Sequence, residues 1–579
     1  MPQPRHHHPH HPHAGGPELR NLVIAIVAAT AILFGWEYFY QRPRTLAYEA
    51  AQQKAEEAAQ AEKAKEATAP SAPKADAGET AAPRIPIDSA RLQGSLPSVG
   101  NRIDDLTLRN YHETLDANSP AVKLLSPLPG ADAYFAELGV LAAGNTAVPG
   151  ATTRWQASGK SLGTDAPLSL SWTSPQGVTF SKSFTLDDNY MFTVTYKVAN
   201  HGAAPVSVYP YGLISRNYQD VKKHYVFMHE GPLGVFDRIL DDATYKELRE
   251  KGDQKFSGAH GWIGMADKYW LTAIIPDAAQ SFDSSFKYFK RQDSDAYQAD
   301  YRGGEMTVAP GAEQGFTVHL FAGAKEVKLI DAYRTRLDIP LFDRAIDFGT
   351  LWFLTKPLFY ILSYFHSLVG NFGIAIFLLT LCIKLVMFPL ANKSFTSMAQ
   401  MRLLTPKMNE LKERHREDKL KMNQAVMELY KREKVNPMSG CLPMLVQIPV
   451  FIALYRVLFV TIEMRHAPFY GWIRDLSAPD PTTIFNLFGL IPWDPPSALH
   501  VGVLPLFMCG TMIVQQKLNP KPADEVQAMM ISYMPYVFLA FFAGFPAGLV
   551  LYWICNNTLS ILQQLLIGHR LKKKGLKVK

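Results

Sequence analysis

Cysteine is nearly absent from this chain, with four in 579 residues: Cys382, Cys441, Cys509 and Cys555. All four lie in or beside apolar segments, and the polar stretch from 41 to 340 has none. Disulfides therefore do not hold that stretch together, even in an oxidising compartment. The cysteine spacings suit no metal site. No Walker loop, Rossmann glycine pattern, zinc pair or nucleophile elbow stands where its chemistry would work. This excludes an ATP-driven motor within the chain, and no enzyme activity, cofactor or metal is expected. The formal charge is only +7, so its distribution carries more information than its total.

What is present divides sharply. The last third is apolar and the first two-thirds are mostly polar. Residues 1–20 form a tail in which His6, His7, His8, His10, His11 and His13 alternate with prolines. It reads as a disordered tail or a cloning remnant, with weak metal binding as the alternative. Residues 21–40 are an apolar segment preceded by Arg20 and closed by Trp36, Tyr38 and Tyr40, aromatics that favour a membrane–water interface. Bulky aromatics follow it rather than a small-residue cleavage site, which favours an uncleaved signal anchor. Residues 41–84 balance seven basic against seven acidic residues in an Ala/Glu/Lys/Pro-rich linker.

From 85 to 335 the pattern becomes that of strands. Leu168–Trp172 alternates with period two, and Val178–Leu186 and Met191–Val198 flank a turn at Asp187-Asp188-Asn189. Lys268–Ile275 and Met306–Ala322 continue the style, predicting an antiparallel β-sandwich with its own core. Its polar residues form no catalytic constellation that sequence can identify. Residues 341–370 hold an apolar stretch broken by Lys356, Pro357 and His366, which reads as an amphipathic helix on the outer membrane surface.

The remaining apolar segments predict membrane crossings: Phe372–Leu390, then about Leu442–Ile462, Val501–Gln515, Met529–Phe545 and Leu549–Ile567. With 21–40 these make six, which places both chain ends in the cytoplasm. Charge agrees. Residues 391–437 hold eleven basic and six acidic residues, and the tail 568–579 has Arg570, Lys572, Lys573, Lys574, Lys577 and Lys579 with no acid. The loop Glu463–Asp494 has four acids and two bases. Basic segments mark the cytoplasmic side.

Lys384 is the anomaly, a cation within the Phe372–Leu390 run. A charge there costs on the order of 3 kcal/mol on insertion scales, and such residues usually face a bundle interior or a wet cavity. Thr380 shares its helical face one turn earlier. In the last segment Tyr552, Asn556, Ser560 and Gln563 recur at i, i+4, i+8 and i+11, extended by Asn557 and Gln564. Gln447 lies between Pro443 and Pro449 in another segment. Together these residues can line a notch open to the cytoplasm. Two blander readings compete. Lys384 is roughly 9 Å from the inner end and can snorkel to water, and the amides can simply bridge helices. Met444 and Phe451 read more simply as packing.

Residues 391–437 carry apolar positions at helical spacing, Met408 and Leu411, then Met422, Val426 and Leu429, around a charged turn at His415–Lys419. This predicts a helical hairpin. Its basic surface, including Arg402, Lys407, Arg414 and Arg416, is either a solvated face or meets anionic lipid heads or ribosomal RNA, as does the tail with Lys572, Lys573 and Lys574.

Five runs carry a specific resemblance: Lys384-Leu385-Val386-Met387-Phe388-Pro389-Leu390; Ser397–Arg402 with Leu404–Lys407; Glu433–Pro437; Gly440–Phe451 around Pro443 and Gln447; and Phe545-Pro546-Ala547-Gly548 through Trp553. By them the last third resembles the YidC/Oxa/Alb family of membrane protein insertases, and the anchor plus large β domain resembles its Gram-negative YidC type. The resemblance implies a five-helix insertase core and a periplasmic sandwich. It implies a hydrophilic groove, open to cytoplasm and lipid, through which nascent membrane proteins slide with chaperone-like help. The implied partners are nascent chains, the ribosome, anionic phospholipids and the Sec translocon with its accessory subunits. The family's groove cation matches Lys384, and Thr380, Gln447, Phe451, Tyr552, Trp553 and Asn556 fall on or beside other groove positions. The chain departs from many Gram-negative members, which carry Arg at the position of Lys384 and Tyr at that of Trp553. Arginine stays charged in any surroundings, whereas a lysine's charge depends on them. Two other function classes remain: a secondary transporter using Lys384 as a proton or anion site, although no convincing paired repeats are visible, and a sugar-active β domain.

Overall fold

The computed structural model describes residues 83–573, apart from 219–227, 278–279, 292–293, 416–417, 434, 436–441, 490, 492, 494–495, 497–499 and 520–524. The His-rich tail, the apolar segment 21–40, nearly all of the linker, Arg416 and Lys574 lie outside the described residues.

The alternating strands form the predicted antiparallel sandwich. A nine-stranded sheet is centred on Met191–Asn200, paired with Val178–Leu186 on one side and Glu313–Ala324 on the other. A seven-stranded sheet is centred on Val206–Asn217, between Tyr134–Ala142 and Ser294–Gly303. A smaller four-stranded sheet, Arg84–Asp88 to Ala121–Leu125, precedes them in the chain. Alternation decides which side chains turn inward: Val178, Phe180, Lys182, Phe184 and Leu186 are all buried. Buried tyrosines tie the two large sheets together. Tyr196 donates to the Leu138 carbonyl at 2.6 Å, and Tyr134 to the Met265 carbonyl at 3.2 Å. The turn at Asp187 closes locally, its carboxylate accepting from the amides of Asn189 and Met191 at 2.9 and 3.0 Å.

The sandwich ends in helix α1 (Val327–Arg336). Then follow α2 (Trp352–Val369), α3 (Phe372–Val386), α4 (Phe388–Arg414), α5 (Lys419–Arg432), α6 (Leu442–Val460), α7 (Val503–Leu518), α8 (Glu525–Phe542) and α9 (Ala547–Lys573). Gly370 stops α2 in the left-handed region at φ 68°, where glycine carries no Cβ penalty. Asn371 starts α3, its side chain accepting from the Ile374 amide at 3.2 Å. Helix α3 packs on α2 and α9, and α9 also meets α4, α6 and α7.

The apolar run Phe372–Leu390, expected as one crossing, is broken in the structure. Helix α3 stops at Val386 and α4 leaves at 70° to it. The cause is local: Pro389 sits in the first turn of α4, where its missing N–H leaves no bond unmade, so the chain restarts rather than continues. Likewise the first hairpin helix, read from Lys407, begins as far back as Phe388. Among the described residues no single helix is long and apolar enough to cross a membrane, while the bent pair Phe372–Val386 and Phe388–Leu411 is, by length and composition.

Several contacts lock the helices to the sandwich. Glu463, just after α6, accepts from the Val327 amide at 2.9 Å and so caps α1 from a distance. Arg456 of α6 pairs with Asp347 at 3.0 Å. Lys356 of α2 bridges Asp331 and Asp343 at 2.6 and 2.9 Å. Lys268 of the sandwich lies 3.7 Å from the centre of the Phe459 ring. Burial against that ring and its surroundings pulls the Lys268 ammonium down to about 8.

Candidate functional site

Helices α3, α6 and α9 bring most of the sequence-identified polar residues together. Lys384, in the last turn of α3, donates to the Ser560 hydroxyl of α9 at 2.8 Å. Among the described residues no carboxylate lies within ion-pair distance of it. Ser560 passes its own proton to the Asn556 carbonyl one turn earlier, also at 2.8 Å. Asn556, Ser560 and Gln563 are buried along the stripe their spacing predicts, and Tyr552 begins it at 1 % exposure. From α6 the Gln447 amide donates to the Tyr552 hydroxyl.

Thr380 is buried one turn before Lys384, but its hydroxyl bonds the Ile376 carbonyl of its own helix at 2.6 Å. It therefore contributes shape rather than a free donor. Phe451 meets Trp553 edge-on, with centroids 5.1 Å apart and planes at 86°, and Phe542 packs against both. This aromatic cluster forms one wall beside the polar stripe.

Four buried polar atoms on α9 and α4 find no hydrogen-bond partner among the described residues: Trp553 Nε1, Gln563 Nε2 and Gln564 Oε1 on α9, and Ser394 Oγ on α4. A buried donor or acceptor left so costs about 1–3 kcal/mol unless something else meets it. Gln563 Nε2, one turn beyond Ser560 on the same stripe, is of the kind that water or a passing polar group can satisfy.

The end of the bundle where α3 and α9 begin is closed by backbone. The Ala547 and Gly548 amides, which open α9, donate to the Ala478 and Leu476 carbonyls at 2.7 and 2.9 Å. At Gly373, on the first turn of α3, an added Cβ would stand 2.0 Å from the Phe469 ring. The loop between α6 and α7 thus presses on the starts of α3 and α9, with no room for a side chain at Gly373.

The opposite end, where α3 stops, is different. Helix α4 swings away and is held to α9 by Ala391, Phe395 and Ile567. Met408, Val426 and Leu429 join α4 to α5. Of the basic hairpin residues, Arg402 reaches the carbonyls of Lys517 and Leu518, the last turn of α7, at 3.3 and 3.4 Å. Lys407 pairs with Glu433 at 2.8 Å, which lowers the proton affinity of that carboxylate. Arg414 pairs with Glu410 at 3.2 Å. Lys572 and Lys573 close α9. Two partners escaped the sequence reading. Thr511 of α7 accepts from the Asn557 amide at 3.1 Å, and Asn519 accepts from Gln564 at 3.3 Å. The only signal for Thr511 is that it is a polar residue inside an apolar run.

Comparisons with known proteins agree with this architecture. Residues 84–361 match the family model described as "YidC periplasmic domain", and residues 364–574 match "60Kd inner membrane protein". The chain is 47 % identical over 552 residues to a "Membrane protein insertase YidC" from Rickettsia bellii, covering 95 % of this chain and 98 % of that one. It is 45 % identical over the same shares to the protein of that name from Rickettsia massiliae. A crystal structure titled "Active YidC insertase crystal structure with the first transmembrane domain resolved" aligns at 18 % identity and a TM-score of 0.36, over 83 % of this chain and 91 % of that one. The chain is thus an inner-membrane protein with a periplasmic domain, and it belongs to the YidC family of membrane protein insertases.

Proposed function

We propose that this chain inserts integral membrane proteins into the inner membrane and helps them fold, alone or with the Sec translocon and its accessory subunits. The observation that carries this reading is Lys384, a cation held by a neutral hydroxyl on a stripe of buried polar side chains along α9. The groove residues are Lys384, Thr380, Gln447, Phe451, Tyr552, Trp553 and Asn556. Six crossings, the first at 21–40, put both termini in the cytoplasm and the sandwich in the periplasm, with α2 lying along the outer surface. The exposed Phe353, Ile361, Tyr364 and Leu368 on α2 favour that placement.

The mechanism needs no covalent chemistry. Helix α3 has 15 residues, roughly 22 Å at helical rise, against about 30 Å of hydrocarbon. An acidic or polar segment entering from the cytoplasmic side meets Lys384 and the amides of α9 instead of lipid. Its apolar neighbour then partitions into the bilayer, and burial of that surface drives the step. The packed outer loop closes the far end. Arg402, Lys407, Arg414 and Arg416 on the hairpin, with Lys572, Lys573 and Lys574, are the candidates for contact with the ribosome or anionic lipid; Arg402, Lys407 and Arg414 would exchange their contacts within the chain for it.

Photocrosslinkers at Thr380, Phe451 and Trp553 should each capture a ribosome-stalled membrane-protein chain. Absence of adducts from all three would remove the groove assignment. Lys384-dependent solute flux in proteoliposomes, with insertion unaffected by Lys384→Ala, would favour a transporter instead.

A further inference from the structure

The contact between Lys384 and Ser560 says more than that a cation lies in the groove. A lysine has four rotatable carbons and three donors, and Lys384 stands two residues before the end of α3. The ammonium therefore has a competing destination, the water at the inner end, which it can reach by snorkelling. What opposes that is one hydrogen bond of 2.8 Å to Ser560. Ser560 is only 3 % exposed, and its single hydroxyl proton is already committed to the Asn556 carbonyl. Its lone pairs are thus turned toward the ammonium, and it can only accept. A carboxylate at the same place would hold the lysine equally well but would cancel its charge.

We propose that Ser560 is the positioning residue of the groove cation, and that as a neutral acceptor it makes the site selective for acidic segments of the entering chain. This rests on the groove reading above. Ser560 keeps the ammonium in the groove, and because it carries no charge the full positive charge stays available to a passing Asp or Glu. Selectivity for acidic segments is then a property of the pair Lys384–Ser560, not of the lysine alone.

The test uses the full chain in proteoliposomes and two single-span substrates that differ only in an acidic or an uncharged translocated tail. Ser560→Ala should lower insertion of the acidic-tail substrate about tenfold and change the uncharged one less than about twofold, the lower end of the loss expected for one hydrogen bond to a charged group. Ser560→Thr, which keeps an acceptor hydroxyl, should restore it. Ser560→Asp should depress the acidic-tail substrate as far as Lys384→Ala does while leaving the lysine in place. Labelling of the Lys384 amine by a water-soluble reagent, read by peptide mass spectrometry, should rise several-fold in Ser560→Ala as the ammonium moves outward; this readout holds even if the aspartate variant does not fold. Equal losses on both tails, or failure of Ser560→Thr to rescue, would reduce Ser560 to a packing residue. Normal insertion by Ser560→Ala beside a defective Lys384→Ala overturns this proposal alone. Normal insertion of the acidic tail by Lys384→Ala overturns the groove reading and this proposal with it.

Discussion

The sandwich buries a lysine and the helical region half-buries another, and they treat the two differently. Lys182 points into the sandwich at 2 % exposure, donates to Asn101 at 2.9 Å, and lies over the faces of Trp155, Phe184 and Tyr196, the nearest at 4.3 Å. Its surroundings are complete, an amide oxygen and a cage of ring faces, which is how a protein keeps a buried cation as part of its architecture. Lys384 is only half-buried and has one hydroxyl. That hydroxyl is its one hydrogen-bond partner among the described residues. The difference teaches that burial alone does not mark a functional cation. An unfinished shell does, because it leaves room for a ligand that comes and goes.

The largest effect expected from that contrast is on stability. Lys182→Met should destabilise the protein by about 3 kcal/mol, since it leaves Asn101 without its donor and removes the ring contacts. Insertion per folded molecule should be unchanged. Lys384→Met should show the converse, unfolding within about 1 kcal/mol of the parent because a half-exposed group with one bond loses little, but with acidic substrates left behind. Thermal unfolding in detergent, set beside insertion assays on the same preparations, measures both. A large stability loss at Lys384 with none at Lys182 would invert the comparison.

Glu463 stands between these two cases, at the seam of the two regions. Burial, reinforced by the nearby Glu326 carboxylate, raises its carboxyl to about 7, although the Val327 amide donates to it. Its second oxygen has no partner among the described residues. An acid with a raised folded-state value binds more protons folded than unfolded. Stability therefore falls as pH rises from about 4.5 to about 7 and stays lower above that window. A rise from about 4.5 to about 7 in a buried carboxyl corresponds to an expected loss on the order of 3 kcal/mol. Glu463→Gln keeps the acceptor for Val327 and should remove that slope, raising the unfolding temperature at pH 8 relative to pH 5. An unchanged slope in the variant would mean that the seam does not titrate through Glu463.

How far these features could be read from sequence depends on their range. The sandwich was legible because inward and outward residues alternate over Val178–Leu186, and the polar stripe because Tyr552, Asn556 and Ser560 repeat every turn of α9. Lys384 was legible as a charge in an apolar run, but its partner was not, because 176 residues separate it from Ser560. The break at Met387 was hidden by hydropathy. Apolar residues continue through it to Leu390, and a proline two residues on is as compatible with a new first turn as with a membrane end. The Glu463 cap joins positions 136 apart, and the Arg402 contact with Leu518 joins positions 116 apart. No local pattern announces either. The basic hairpin looked like open surface because its counter-charges lie in other turns and helices.

The smallest effect sharpens the comparison within the helices themselves. Asn557 and Thr511 join α9 to α7 by a single bond at 3.1 Å, and Asn557 is almost fully buried. Asn557 shares its helix and its burial with the groove residues, yet it and Thr511 have each other as partners, so they should behave like the sandwich and not like Lys384. A double-mutant cycle with Asn557→Leu and Thr511→Val should give a coupling of about 0.6 kcal/mol, typical for polar pairs between membrane helices. Insertion of acidic-tail and uncharged-tail substrates should be reduced equally or not at all. Selective loss of the acidic substrate in either single variant would mean that a completed polar contact also serves passage. The line between finished and unfinished shells would then have to be drawn at the whole α9 stripe rather than at Lys384 and Ser560.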